Sequence, residues 1–263
     1  MGNKDSKHGG GASSSANAIV SSLKSGPSSS KVHQHLENAK KSRILQLKNC
    51  NIKEIPSSVD EVANILRNLD LSENKIVSLP PKISSFQSLK QLHLQRNRFT
   101  LLPDEIGCLK TLELLDVSFN KLSTLPSSLA GCSALKTLNA SNNVLTDFPV
   151  GVCHALQVDN VDLSNNLIET LPDDISHLNA IELNLNKNRL NKLNDNLADC
   201  KNLRVFRVEE NCLDKCEFTP KILGESTISL ITYSGNLFQD KDFQALPQHE
   251  KYEARFSASK RKI

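Results

Sequence analysis

The sequence predicts an α/β solenoid: a horseshoe of about nine repeats, with a parallel sheet on its concave face and helical caps at both ends. Three observations predict it. Leu (39) and Asn (26) together make up about a quarter of the 263 residues, a skew that ordinary globular domains do not show. The pattern L-x-L-x-x-N-x-L recurs nine times, from LQLKNCNI at 45–52 through LDVSFNKL at 115–122 to ITYSGNLF at 231–238. Its Asn slot falls at Cys50, Asn74, Asn97, Asn120, Asn143, Asn166, Asn188, Asn211 and Asn236, in steps of 22 to 25 residues. Between the slots, Pro56, Pro80, Pro103, Pro126, Pro149 and Pro172 each follow Leu, Ile or Phe.

Residues 1–30 are a Gly/Ser-rich tail. Its 9–30 segment buries too little apolar surface to offset ordering entropy, so the tail is expected to be disordered. Residues 31–43 are expected to form an N-terminal cap helix, with Ser30 as N-cap and Val32, Leu36 and Ala39 on one face. Residues 44–238 hold the repeats. The alternating apolar residues of each short strand point inward. The Asn turns inward where the chain leaves the strand, and its amide is expected to bond loop carbonyls and N–H groups. Cys50 offers only a weak donor, tolerable at an end repeat. Each Pro ends strand-like pairing and turns the chain onto the convex side. Residues 239–263 are expected to be a C-terminal cap and basic tail. The cap is a helix interrupted near Pro247 that brings Phe243, Leu246, Tyr252 and Phe256 to the open end.

The repeats over roughly 42–238 resemble the leucine-rich repeat superfamily, in its 23-residue intracellular form with Leu-Pro-x-x-Ile in the second half. The segments HLENAKKS at 35–42, IELNLNKN at 181–188, VEENCL at 208–213 and YEARFSASKRK at 252–262 lie outside the generic consensus or fill its variable positions. With Met1-Gly2-Asn3 and GNLF at 235–238 they carry a closer resemblance, to a small member of that form. The Gly/Ser stretch at 9–30 departs from that member. The resemblance implies a peripheral cytosolic protein without catalysis, and it supplies no partner.

Composition removes several classes. No run reaches the ~18 apolar residues of a membrane helix, and the N-terminal stretch lacks the apolar core of a secretory signal. Seven Cys are therefore expected to stay reduced. The net charge of +3 divides into basic ends and a mildly acidic middle, which is not the profile of a nucleic-acid binder. Cys108, Cys132, Cys153 and Cys200 follow their repeat's Asn by 10 to 12 residues and are expected inside, as small hydrophobes. Cys212-x-x-x-Cys216 lacks the second pair a metal site needs, and His33-x-His35 does not share a helix face. No metal, cofactor or catalytic residue is expected.

Met1-Gly2-Asn3-Lys4-Asp5-Ser6 fits M-G-x-x-x-[ST] and makes Gly2 an expected N-myristoylation site, although the pattern fixes only two positions beyond Met. A single myristoyl chain binds membranes with about −5.5 kcal/mol. Asp5 offsets Lys4 and Lys7 locally, so Lys260-Arg261-Lys262 is the remaining basic contribution. The expected localisation is cytoplasmic, with reversible peripheral attachment to a membrane surface.

A protein partner is expected on the concave face. Outward strand and strand-exit positions include Asp70, His93, Asp116, Asn139, Asp162, Asn184 and Arg207, and Ser72, Ser118, Ser141 and Ser164 are expected to face outward beside them. Most are short and polar. Leu114 and Phe119 are the apolar exception, and an aromatic anchor among polar residues is typical of a binding hot spot. Scattered surface apolar residues are also common. The row of Asp and His is read as a recognition surface, because an open wet sheet lacks a closed pocket for acid/base chemistry. The expected function is a non-catalytic scaffold or adaptor, monomeric. The alternative is a regulatory subunit of a signalling enzyme such as a phosphatase, or of a small-GTPase pathway.

Overall fold

Among the described residues, nine three-residue strands pair in parallel and in strict chain order to form one open sheet. They are β1 (Ile44–Gln46), β2 (Asn68–Asp70), β3 (Gln91–His93), β4 (Leu114–Asp116), β5 (Thr137–Asn139), β6 (Asn160–Asp162), β7 (Glu182–Asn184), β8 (Val205–Arg207) and β9 (Leu230–Thr232). The computed structural model describes residues 29–260. Gly2, most of the Gly/Ser-rich tail, Arg261 and Lys262 lie outside the described residues. Among the described residues no helix is long and apolar enough to cross a membrane.

The repeat length fixes the register. The central residue of each strand stacks on its equivalent, Leu45 on Leu69, Leu69 on Leu92, and onward to Phe206 on Ile231. All of these are buried. Parallel strands sit about 4.8 Å apart. The elements on the other side of the repeat are bulkier, so the sheet takes the inside of the curve.

Those outer elements are short 3-10 turns in most repeats, such as Pro81–Ser85, Asp104–Cys108 and Ser127–Gly131. The prolines initiate them. Pro80, Pro103 and Pro126 sit in extended backbone with φ of −71°, −74° and −68°, a value the ring imposes, immediately before the turn. Where Pro is missing, a side chain caps instead. Asn194 accepts a hydrogen bond from Asn196 N, and Asp214 accepts one from Cys216 N. Successive turns are pressed together: a Cβ on Gly107 would lie 2.2 Å from the Ser128 carbonyl oxygen. The fifth repeat differs, since Pro149 leads into a true α-helical turn, α2 (Val150–Cys153).

The inward Asn side chains form a ladder. Asn74 Oδ1 accepts from the N–H groups of Cys50 (3.0 Å) and Ile52 (3.1 Å) in the preceding repeat. Its Nδ2 lies within donating distance of the carbonyl oxygens of Leu47, Leu71 and Ser72. Asn143 does the same, accepting from Leu122 N and facing the carbonyls of Val117, Ala140 and Ser141. A strand exit turned inward leaves these backbone groups without partners, and one amide serves several of them.

Both ends are covered. At the N-terminus, α1 (Ser29–Ser42) buries Val32, Leu36 and Ala39. The helix starts at Ser29, so Ser30 lies inside it rather than at its cap. The C-terminal end is closed by α4 (Asp240–Gln244) and α5 (His249–Lys260), broken around Pro247, after the short α3 (Pro220–Glu225) of the eighth repeat. Phe243 and Tyr252 are buried there, with Leu246 and Phe256 packed against the core. The cap also finishes the hydrogen bonding of the last repeat. Tyr252 Oη accepts from Ile231 N (3.1 Å) on the edge strand β9, and Arg255 donates to the carbonyls of Ile228 and Leu223. Lys260 Nζ sits 4.2 Å from the centre of the Phe256 ring, so this lysine is engaged by the cap.

Two expectations about burial change. Cys132, Cys153 and Cys200 are interior, but Cys108 is exposed. Cys132 and Cys200 stand twelve residues after their Asn, and in the repeat of Cys108 that interior slot is taken by Leu109. Cys153 stands at ten and is interior because α2 rotates its side chain inward. Ser72, Ser118, Ser141 and Ser164 are buried rather than outward. They lie where the chain turns out of the strand, and the preceding outward side chain folds back over several of them.

Candidate protein-interaction face

The outward residues of the strands form columns across the concave face. The third position of each strand aligns Asp70 with His93, His93 with Asp116, Asp116 with Asn139, Asn139 with Asp162, Asp162 with Asn184, and Asn184 with Arg207. All seven are half-buried. This is the polar row expected from the spacing.

Much of the row has a second task. Asp70, Asp116, Asn139, Asp162 and Asn184 each accept, through Oδ1, a hydrogen bond from the backbone N–H two residues on, at 2.9 to 3.1 Å. Asp116 also accepts from Ser118 Oγ (2.7 Å), which draws that serine inward. Short Asp and Asn side chains suit this turn because they reach their own backbone. One carboxylate or amide group therefore shapes the strand exit and still presents its other polar atom to the concave space. Arg207 takes another course and donates from Nε to Glu182 (2.6 Å) across the neighbouring strand. A shallow depression of about 250 Å³ crosses β5–β7, lined by Thr137, Asn139, Asn160, Asp162, Glu182 and Asn184.

At the rim, the residue before each ladder Asn adopts left-handed backbone. Glu73, Arg96, Phe119, Asn142, Asn165, Lys187 and Glu210 have φ between 53° and 57°, and Gly235 closes the series at 78°. Asn and Gly tolerate this conformation, but a bulky aromatic does so rarely. Phe119 occupies it with 44% of its surface exposed. The Arg96 guanidinium lies 4.3 Å from the centre of its ring. Leu114 opens β4 and is half-buried between Gln91 and Thr137, whereas Phe119 lies three residues past the end of that strand. Arg96 is outward by the sequence spacing, but its place against the Phe119 ring emerges only in the structure. It occupies the same slot as Phe119 one repeat earlier, and that shared slot is the signal that makes them neighbours.

The Leucine rich repeat family model matches residues 87–145, and a second model of the Leucine Rich Repeat matches residues 66–86. A leucine-rich repeat protein of Leptospira interrogans superposes with a TM-score of 0.60 at 23% identity, over 80% of this chain and 66% of that one. An internalin of Listeria monocytogenes superposes with a TM-score of 0.61 at 20% identity, over 75% and 56%. The leucine-rich repeat ectodomain of the plant membrane receptor kinase GASSHO1/SCHENGEN3 from Arabidopsis thaliana, in complex with Casparian strip integrity factor 2, gives 0.56 at 19% identity, over 73% and 27%. The chain spans less than two thirds of the length of each. Nine in-register repeats among the described residues, the Asn ladder and these likenesses give the chain the leucine-rich repeat solenoid fold, and the family models recognise that repeat over residues 66–145.

Proposed function

We propose that the chain is a non-catalytic interaction module of the 23-residue intracellular class, which engages a protein partner through its concave face. The observation that carries this is Phe119. An aromatic ring is held half-exposed in left-handed backbone, at the rim of a polar face, with a guanidinium against it. That arrangement costs about 1 kcal/mol of backbone strain in a repeat where Asn would avoid it. Aromatic and Arg side chains are the residues that most often dominate binding energy. The depression over β5–β7 offers hydrogen-bonding groups on the same sheet, starting on the strand after β4. The similar plant receptor ectodomain GASSHO1/SCHENGEN3 is bound to Casparian strip integrity factor 2, which makes a peptide or protein the ligand class to test first.

The same proposal holds that the module works in the cytosol or at a membrane surface it visits through a myristoyl group on Gly2. One lipid chain and a weakly basic surround support reversible attachment rather than a permanent anchor.

Quantitative co-purification from cells of wild type, Phe119→Asn and Gly2→Ala tests both parts. Asn stands in this slot at Asn142 and Asn165, so the first variant keeps the backbone. A partner is expected to be lost from Phe119→Asn and retained by Gly2→Ala in the soluble fraction, while the membrane fraction of Gly2→Ala falls. Unchanged partners in Phe119→Asn would refute the concave reading at this residue.

A further inference from the structure

The convex side carries a cluster that the interaction face does not use. His154 follows α2 in the fifth repeat, and Asp174 and His177 lie on the 3-10 turn Asp173–His177 of the sixth. One ligand atom from each of the three lies within 4.8 Å of the others. His154 Nε2 is 3.5 Å from Asp174 Oδ2, and the two imidazole rings stand 5.2 Å apart, centre to centre. We propose that His154, Asp174 and His177 form a three-ligand site for a divalent transition metal of the zinc type, with one coordination position left to water.

Four observations support this. The first is distance. Ligands at about 2.05 Å from a tetrahedral metal stand about 3.3 Å from one another. The His154–Asp174 separation is already close to that value, and small rotations of exposed side chains close the rest. The second is the tautomer. His177 Nδ1 lies 3.3 Å from the Asp174 carbonyl oxygen. A carbonyl only accepts, so a hydrogen bond here uses Nδ1 as the donor and leaves Nε2 as the ring nitrogen open to a metal; metal-bound histidines are commonly oriented this way. The third is a rigid base. Val152 and Cys153 beneath His154, and Ile175 between the two sixth-repeat ligands, are fully buried. Gly151 lies so close to Ser127 that a Cβ there would come within 2.7 Å of its carbonyl oxygen. The fourth is chemistry. Two imidazoles and one carboxylate match zinc, nickel or copper, whereas calcium and magnesium want shells of oxygen. The spacing H-x19-D-x2-H follows no short metal motif, and the ligands meet because the solenoid stacks one convex crossing on the next.

The test uses the full chain, stripped with chelator and titrated with Zn²⁺ alone by calorimetry, and with Co²⁺ alone followed by absorption. One zinc per chain is expected at this site. His177→Ala should weaken it at least about tenfold, and His154→Ala/His177→Ala should abolish it. The cobalt spectrum should show tetrahedral bands without sulfur-to-metal charge transfer. Cys212→Ser/Cys216→Ser should leave this binding unchanged. In wild type, zinc should shift the ring nitrogen resonances of His154 and His177, a readout that needs no variant. The rise in melting temperature with zinc should vanish in the double His variant, whose apo melting temperature should match wild type. No zinc binding by wild type overturns the proposal. So does equal binding by the double His variant, or a cobalt spectrum dominated by thiolate.

Discussion

Asn139 and Asn143 are the same side chain four residues apart in one repeat, and they do different work. Asn143 is buried, and its amide serves backbone groups of its own repeat and the one before. Asn139 is half-buried on the concave face and accepts one backbone hydrogen bond, from Ser141 N. The ladder position is Asn in eight of nine repeats, because backbone geometry dictates it. Asp, His, Asn and Arg all occupy the outward position, because solvent or a partner is what it meets. In this solenoid, recurrence marks structure and variation marks the surface available for recognition.

Thiols give that contrast its largest measurable form. Burial pushes the Cys132 thiol up to about 11 and those of Cys153 and Cys200 up to about 12. Each unit lowers the reactive thiolate tenfold. Alkylation of the native protein at neutral pH should therefore label exposed Cys108 and Cys212 at least roughly 100-fold faster than these three. Peptide mapping by mass spectrometry reads the order, and labelling of Cys153 together with Cys108 would show that the convex interior opens.

Asn143→Ala should destabilise by about 3 kcal/mol, since buried N–H and C=O groups lose their partners. Asn139→Ala should cost about 1 kcal/mol or less, one exchangeable bond near solvent. Denaturant unfolding of the pair measures the difference, and equal losses would remove the distinction. Tyr252→Phe asks whether the cap resembles the ladder. It strips the acceptor from Ile231 N on the edge strand and should cost about 1–2 kcal/mol, with faster amide exchange at Ile231.

Phe119→Asn relieves about 1 kcal/mol of left-handed strain and loses a cation–π contact worth about 0.5–1 kcal/mol. The two nearly cancel, so its melting temperature should stay close to wild type. Arg207→Ala should change stability by less than about 1 kcal/mol, because the Glu182 pair is about a third exposed and screened. A larger loss would make that pair part of the frame.

The solenoid was legible from the sequence because a fixed step of about 23 residues sets the register without any other information. The interior column, the Asn ladder and the prolines follow from it, while the caps were legible from apolar residues outside the repeats, such as Val32, Leu36 and Ala39. The outward row Asp70 to Arg207 was legible for the same reason. What escaped depends on local rotation rather than on period. A one-residue offset turns Cys108 outward while Cys132 points in. The bend after each strand buries Ser72 and Ser118. An α-turn in place of a 3-10 turn carries His154 toward Asp174 and His177. None of these leaves a mark in the hydrophobic pattern, which reports the face of a residue only where the strand or helix is regular.

The most direct test of the interaction claim is site-specific photocrosslinking in cells. A photoreactive residue is placed at Phe119 on the concave rim or at Leu156, which is 69% exposed beside α2 on the opposite side. A discrete crosslinked protein from position 119 and none from position 156 is the predicted result. The same crosslink from both positions, or one from position 156 alone, would contradict a concave interaction face.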